Sequence, residues 1–138
     1  MADAFQCTLV TPEAQLLDEQ VVYASIPAWD GLMGIAPQRA PLMARLGDGV
    51  LRLDFAKGGS RVFFVGGGFA RMKDNRLTLL AGEAVAVTDI VGQDAQAALT
   101  QAQTMTAITD DQVEQKHRRV ERAKTLLHLV ENRAKLPG

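Results

Sequence analysis

Apolar and polar residues alternate with a period of two through residue 88 of this 138-residue chain, and the period lengthens beyond it. Strand-like runs are Phe5 to Leu9, Val21 to Ile26, Val50 to Phe55, Val62 to Val65, Leu77 to Leu80 and Ala84 to Val87. Turn residues follow most of them. Lys57-Gly58-Gly59-Ser60 and Lys73-Asp74-Asn75-Arg76 read as hairpin connections, because Gly and Asn tolerate the left-handed backbone that tight turns need. Between Asp30 and Leu42, two glycines and two prolines punctuate an apolar run. Each proline fixes φ and removes a donor, so neither a regular helix nor a full-length central strand fits there. Short strands joined by shaped turns are expected instead. Many short strands at this spacing predict a sandwich or flattened barrel over residues 1–88.

From Ala95 the period is 3.6. Ala95, Ala98, Leu99, Ala102 and Met105 share one face of a short helix, and the pattern breaks between Met105 and Thr109. Thr109-Asp110-Asp111-Gln112 has capping-box spacing, with acidic residues at the positive end of a second helix. In that helix Val113, Val120, Leu127 and Ala134 recur every seven residues beside Ala123 and Val130, a narrow stripe suited to one antiparallel partner. Pro137-Gly138 is expected to end it. A helix from about 110 to 135 is roughly 40 Å long and outruns the first. Residues 89–138 therefore read as an antiparallel α-helical hairpin after a mainly β domain. Ten of the twelve glycines precede residue 89, which marks the same boundary.

Composition narrows the function classes. A net charge of −1 argues against general nucleic-acid binding, which needs a basic face. Cys7 is the sole cysteine, so neither a disulfide framework nor a cysteine metal site is possible within one chain, and its alternating apolar surroundings predict a buried, inert thiol. The N-terminus lacks the basic start and apolar stretch of a secretory signal. The longest mostly apolar run, Val62 to Ala70, falls far short of the roughly 20 residues that span a bilayer. The expectation is a soluble intracellular chain with no direct membrane insertion.

Candidate chemistry is sparse. Gly66-Gly67-Gly68 lacks the Lys-Ser/Thr and following helix of a phosphate loop, and reads as a bulge or close backbone approach within the sheet. His117 and His128 lie on nearly one helix face but about 16 Å apart, too far to share a metal. No catalytic constellation, cofactor site or metal site is expected. The basic cluster Lys116, Arg118, Arg119, Arg122 and Lys124 has two readings: a solvated helix face, or a patch for an acidic partner.

The order Gly31, Gly34, Ile35, Pro37, Ala40, Pro41, Leu42 resembles the signature Gly-x-x-Gly-Ile-x-Pro-x-His-Ala-Pro-Leu of the epsilon subunit of F-type ATP synthases, with Arg39 in the histidine position. Val10-Thr11-Pro12-Glu13, Gly67-Gly68-Phe69 and Leu77-Thr78-Leu79-Leu80-Ala81 match further elements in the family's order. The resemblance implies an N-terminal sandwich of about ten strands that binds the gamma subunit and touches the polar loops of the c-ring. It also implies a terminal helical hairpin that folds on the sandwich or extends toward the catalytic beta subunits, where it restrains ATP hydrolysis. Such a subunit is not an enzyme. It couples and regulates rotation at the cytoplasmic face of the bacterial plasma membrane. By position, Asp30, Gly31, Leu32 and Met33 would form a turn facing the c-ring. Arg39, Ala40, Pro41 and Leu42 would lie near gamma, and the basic cluster would serve regulation. Arg39 replaces a group that titrates near neutral pH.

Some family members bind ATP through Ile-Asp-x-x-Arg-Ala at the start of the first helix. Here the stretch is Ile90-Val91-Gly92-Gln93-Asp94-Ala95, a later arginine falls at Gln101, and Arg122 remains. A triphosphate would meet Asp94 where it needs a cation, so no ATP site is expected. A rival reading from another class is a small ligand-binding or enzymatic β-sandwich with a helical dimerisation tail.

Overall fold

A computed structural model describes residues 3–136; the expected helix stop at Pro137-Gly138 lies outside them. These residues fall into two compact units, one ending at Ala86 and the other spanning Val87–Leu136. The first unit contains seven strands: β1 (Phe5–Val10), β2 (Gln15–Ala28), β3 (Gly31–Ile35), β4 (Leu42–Arg45), β5 (Gly49–Phe55), β6 (Ser60–Lys73) and β7 (Arg76–Ala86). Pairing runs β1-β7-β6-β5-β2 and closes through a β1–β2 ladder, while β3 adds to β2 and β4 to β6. The result is a flattened closed barrel whose two inner faces bury one core. Phe5, Leu9, Ile26, Ile35, Leu51, Leu53, Phe63, Met72, Leu77 and Leu79 lie at its centre.

Seven strands replace the expected ten or so because three of them are long. The separate runs Leu77–Leu80 and Ala84–Val87 fall in one strand, β7, except for Val87, which opens the 3-10 turn after it, and Val62–Val65 belongs to the first part of β6. β2, β6 and β7 bend at a corner and serve both layers. β2 pairs with β1 up to Val21, carries an irregularity between Val21 and Tyr23, and pairs with β3 from Ala24 onward. β6 pairs with β5 up to Val65 and with β4 from Phe69.

The corner of β6 is the glycine triplet. Its register with β7 is the same on either side, Gly66 opposite Glu83 and Gly68 opposite Ala81, so it is a close approach and not an inserted residue. Gly67 and Gly68 have φ of +65° and +113°, and a Cβ on Gly68 would lie 2.0 Å from the Leu80 carbonyl oxygen. No side chain fits there.

The expected hairpin turns form. Asp74 and Asn75 have φ of +53° and +58°, the left-handed pair that matches strand twist. The Asn75 amide donates to the Ala4 carbonyl (2.8 Å), and its oxygen accepts from the Gln38 N–H (2.9 Å). Cys7 is fully buried, and burial, assisted by the Asp18 charge, pushes its thiol up to about 12. A thiolate is the reactive form, so the thiol is inert as expected.

The second unit begins with a 3-10 turn, Val87–Asp89, and contains α1 (Gly92–Gln103) and α2 (Asp110–Glu131), with another 3-10 turn at Arg133–Lys135. Thr109 and Gln112 form the predicted capping box, each side chain accepting from the other residue's N–H at 3.2 Å. The helices run antiparallel: a Cβ on Gly92 would meet Val130 at 3.3 Å, and Arg119 reaches the Met105 sulfur at 3.6 Å. α2 is about 33 Å long, shorter than expected, because the helix yields to a tighter turn at Asn132. Its buried residues are Ala123, Leu126 and Leu129. Val113 at the head of the expected stripe is 52% exposed, because α1 ends before it can lie opposite the first turns of α2. Among the described residues no helix is long and apolar enough to cross a membrane.

The corner yields a paired test. Gly67→Ala meets open space and only a left-handed backbone, which costs about 1–2 kcal/mol. Gly68→Ala adds a collision with backbone and should lose more than about 3 kcal/mol. Urea denaturation of both variants checks the order; equal midpoints would mean that the corner relaxes.

Candidate interaction surfaces

The tip of the β2–β3 hairpin is one exposed apolar surface. Ala28 pairs with Gly31, so the turn is Trp29–Asp30, and the rest of the expected turn, Gly31, Leu32 and Met33, belongs to strand β3. Gly31 has φ of +135°, a value that side chains rarely adopt, and this lets the chain re-enter the ladder at once. The tip is held from behind: the Trp29 N–H donates to the Arg45 carbonyl (3.0 Å), and the Gly47 N–H donates to the Pro27 carbonyl (2.8 Å). Trp29 and Leu32 are 72% and 74% exposed. Asp30 is exposed and Met33 half-buried.

Arg39, Ala40, Pro41 and Leu42 lie at the far end of β3. The loop is anchored by the bond from Gln38 to Asn75, and Leu42 opens β4 opposite Met72. Arg39, Ala40 and Pro41 are exposed, and Leu42 is partly buried against the core. The five residues of β3 separate this loop from the tip by about 13 Å. The two segments are close in sequence but lie at opposite ends of the strand.

Beside the loop is a surface that the sequence reading missed. On β6, Phe69, Arg71 and Lys73 point outward, alternating with buried Ala70 and Met72. Register places Arg45, Phe69 and Leu80 in one cross-strand row, Met43, Arg71 and Thr78 in the next, and Lys73 beside Arg76 in the third. Met43, Phe69 and Leu80 are each more than half exposed. Period-two alternation marks each of these residues as outward. It does not say that three strands bring them together.

On α2 the basic cluster divides. At about 100° per residue, Arg118, Arg119 and Arg122 fall within one arc of roughly 100°, and Lys116 and Lys124 lie on another side. Lys124 pairs with Glu121 at 3.7 Å across exposed side chains, an interaction of little consequence. A cleft of about 270 Å³ between the helices is lined by Ala98, Gln101, Ala102, Met105, Arg119 and Arg122. His117 and His128 are exposed on α2. Among the described residues no group of three or more His, Cys, Asp and Glu is placed to hold a metal ion.

Residues 4–87 match the family model described as ATP synthase, Delta/Epsilon chain, beta-sandwich domain. The ATP synthase epsilon chain of Rhodopirellula baltica is 37% identical over 121 residues, covering 88% of this chain and 94% of that one. This chain belongs to the ATP synthase epsilon family. The epsilon chain of Mesorhizobium japonicum is 38% identical over 117 residues, with 84% and 87% of the two chains covered. Among solved structures, a chain of the Euglena gracilis mitochondrial ATP synthase (OSCP/F1/c-ring, rotational state 1) gives a TM-score of 0.79 at 22% identity, covering 89% of this chain and 79% of that chain. A chain of the central stalk/c-ring structure of the Tetrahymena thermophila mitochondrial ATP synthase gives 0.70 at 15%, covering 91% and 95%. At those identities the likeness establishes the shared fold.

Within this epsilon-family chain, the hairpin cleft is poorly made for a nucleotide. Val91 precedes α1, 54% exposed, with no side-chain cap, and exposed Asp94 occupies the first turn. A carboxylate at a helix start suits the dipole but repels a triphosphate. The guanidinium of Arg119 faces a methionine sulfur. Calorimetry with the full chain should therefore find no ATP binding in the low micromolar range, about −8 kcal/mol. The double change Val91→Asp, Asp94→Arg should raise affinity. Tight binding by the wild type would contradict this reading.

Proposed function

We propose that this chain is a non-catalytic coupling and regulatory subunit of a bacterial F-type ATP synthase, peripheral to the cytoplasmic face of the plasma membrane. Residues 1–88 dock it in the central stalk, and residues 89–138 regulate hydrolysis. The observation that carries the coupling role is the presence of two exposed apolar surfaces at different places on one closed sandwich. Trp29 and Leu32 form the tip, and Met43, Phe69 and Leu80 form the outer face beside Arg39–Leu42. A part that transmits rotation needs separate attachments to two bodies and little give between them. The tip with Asp30, Gly31, Leu32 and Met33 faces the loops of the c-ring. The outer face with Arg39, Ala40, Pro41 and Leu42 receives gamma. Family membership displaces the rival ligand-binding reading.

Regulation rests on the hairpin. The first turns of α2 carry Asp110, Asp111 and half-exposed Val113 without a helix opposite, and α1 is short. To leave α1 for a surface on the catalytic beta subunits, α2 must replace there the burial of Ala123, Leu126 and Leu129, while its first turns are already free of α1. Only a difference in interaction energy between the two positions can switch it. Arg118, Arg119 and Arg122 on one arc supply that difference toward an acidic surface.

Changing Arg118, Arg119 and Arg122 together to Ala should raise ATP hydrolysis by the assembled enzyme several-fold without loss of assembly. If the three contribute about 1.4 kcal/mol to the inhibiting position, its population falls tenfold relative to the other. Removing residues 109–138 should do the same or more. A wild-type hydrolysis rate in both variants at low salt would leave the hairpin a passive brace.

A further inference from the structure

We propose that the β4–β6–β7 outer face selects a partner surface that is apolar where it meets Phe69 and Leu80 and acidic where it meets Arg71, Lys73 and Arg76. This rests on the reading that the face docks the stalk subunit, and it specifies the chemistry of that subunit's surface.

The three cross-strand rows form a gradient. Arg45–Phe69–Leu80 is mostly apolar, Met43–Arg71–Thr78 is mixed, and Lys73–Arg76 is wholly cationic. Lys73 and Arg76 are directly opposite each other, and like charges in that relation destabilise a sheet. Arg71 adds a third charge two residues from Lys73 on the same face. Arg71, Lys73, Asp74, Arg76 and Thr78 line a cleft of about 260 Å³. The Gln38–Asn75 bond brings the Arg39 loop to the same end.

Two carboxylates, Asp18 on β2, which feels the charge of Arg76, and Asp74 at the turn, offset only part of the charge of the three cations Arg71, Lys73 and Arg76. Asp18 on β2 accepts from the Gln6 amide and, at 3.1 Å, from the Thr8 hydroxyl. The chain as a whole is −1, so the cations are gathered on this face against the overall balance. A partner with carboxylates at this end relieves the Lys73–Arg76 repulsion, while its apolar part covers Phe69 and Leu80. Charges at the rim of an interface act mainly on association rate and salt dependence, and the apolar centre mainly on dissociation.

The test measures association of the full chain with the gamma subunit of its own ATP synthase at about 50 and about 300 mM salt, where screening differs strongly. Arg71→Glu, Lys73→Glu and Arg76→Glu together should slow association at least about tenfold at low salt and flatten its salt dependence. Phe69→Ser with Leu80→Ser should speed dissociation at least about tenfold and leave the salt dependence in place. All five side chains lie on the outer face, and unchanged melting temperatures confirm that both variants fold. If the charge variant keeps the wild-type rate and salt slope while the apolar variant fails to hold gamma, the acidic-partner proposal is wrong and the docking face stands. If neither variant changes binding, the docking reading itself falls. Inorganic phosphate slowing association more than chloride at equal ionic strength would assign the cleft to a small anion and overturn the proposal. So would binding to anionic phospholipid vesicles that the charge variant loses.

Discussion

The sandwich is organised by a backbone-to-backbone approach at the corner of β6, where Gly68 lies against the Leu80 carbonyl with no room for a Cβ. At that point one strand leaves β5 and takes up β4 while keeping its register with β7. The left-handed backbone at Gly67 and Gly68 supplies the bend, and the missing side chains let the two strands stay in register through it. Because the strand is continuous, the two layers are covalently and hydrogen-bond linked across the corner. Phe63 and Val65 before it and Ala70 and Met72 after it point into the same core.

That continuity also fixes the outer face. Phe69 is the first residue after the triplet, so the geometry of the corner sets where its ring emerges and which β4 and β7 residues flank it. The tip at Trp29 is positioned by a different device, the bonds from Trp29 to Arg45 and from Gly47 to Pro27. Arg45 belongs to β4, so the last residue of the strand that borders the outer face also backs the tip. The two proposed attachment surfaces are joined by one short strand and its hydrogen bonds.

Local signals were the ones that sequence could show. The Thr109–Gln112 capping box, the left-handed Asp74–Asn75 turn and the burial of Cys7 depend on residues close in the chain or on simple alternation. The strand count was not legible, because separate apolar runs merge only where glycine permits a bend, and that depends on the opposing strand. The outer face was hidden for a related reason: Arg45 and Phe69, 24 positions apart in the chain, meet in register. The helical stripe misled because a seven-residue repeat assumes a partner of equal length, and α1 is only 12 residues. The signature between Gly31 and Leu42 located two candidate segments, but it gave no hint that β3 holds them apart.

Closure of the barrel has a consequence for the subunit before it joins any complex. Each of β1, β2, β5, β6 and β7 is paired on both sides over at least part of its length. Among the described strands, β3 and β4, with five and four residues, are open along one whole side, and β2 before Val21 and β7 beyond Leu80 are each paired on one side only. Unpaired strand edges are templates for sticking to other chains, and short ones template poorly. A newly made copy waiting for its partners thus offers other copies little backbone to grip. Its adhesive surface is made mainly of side chains, which can be selective, while the indiscriminate hydrogen-bonding edges are broken into short stretches.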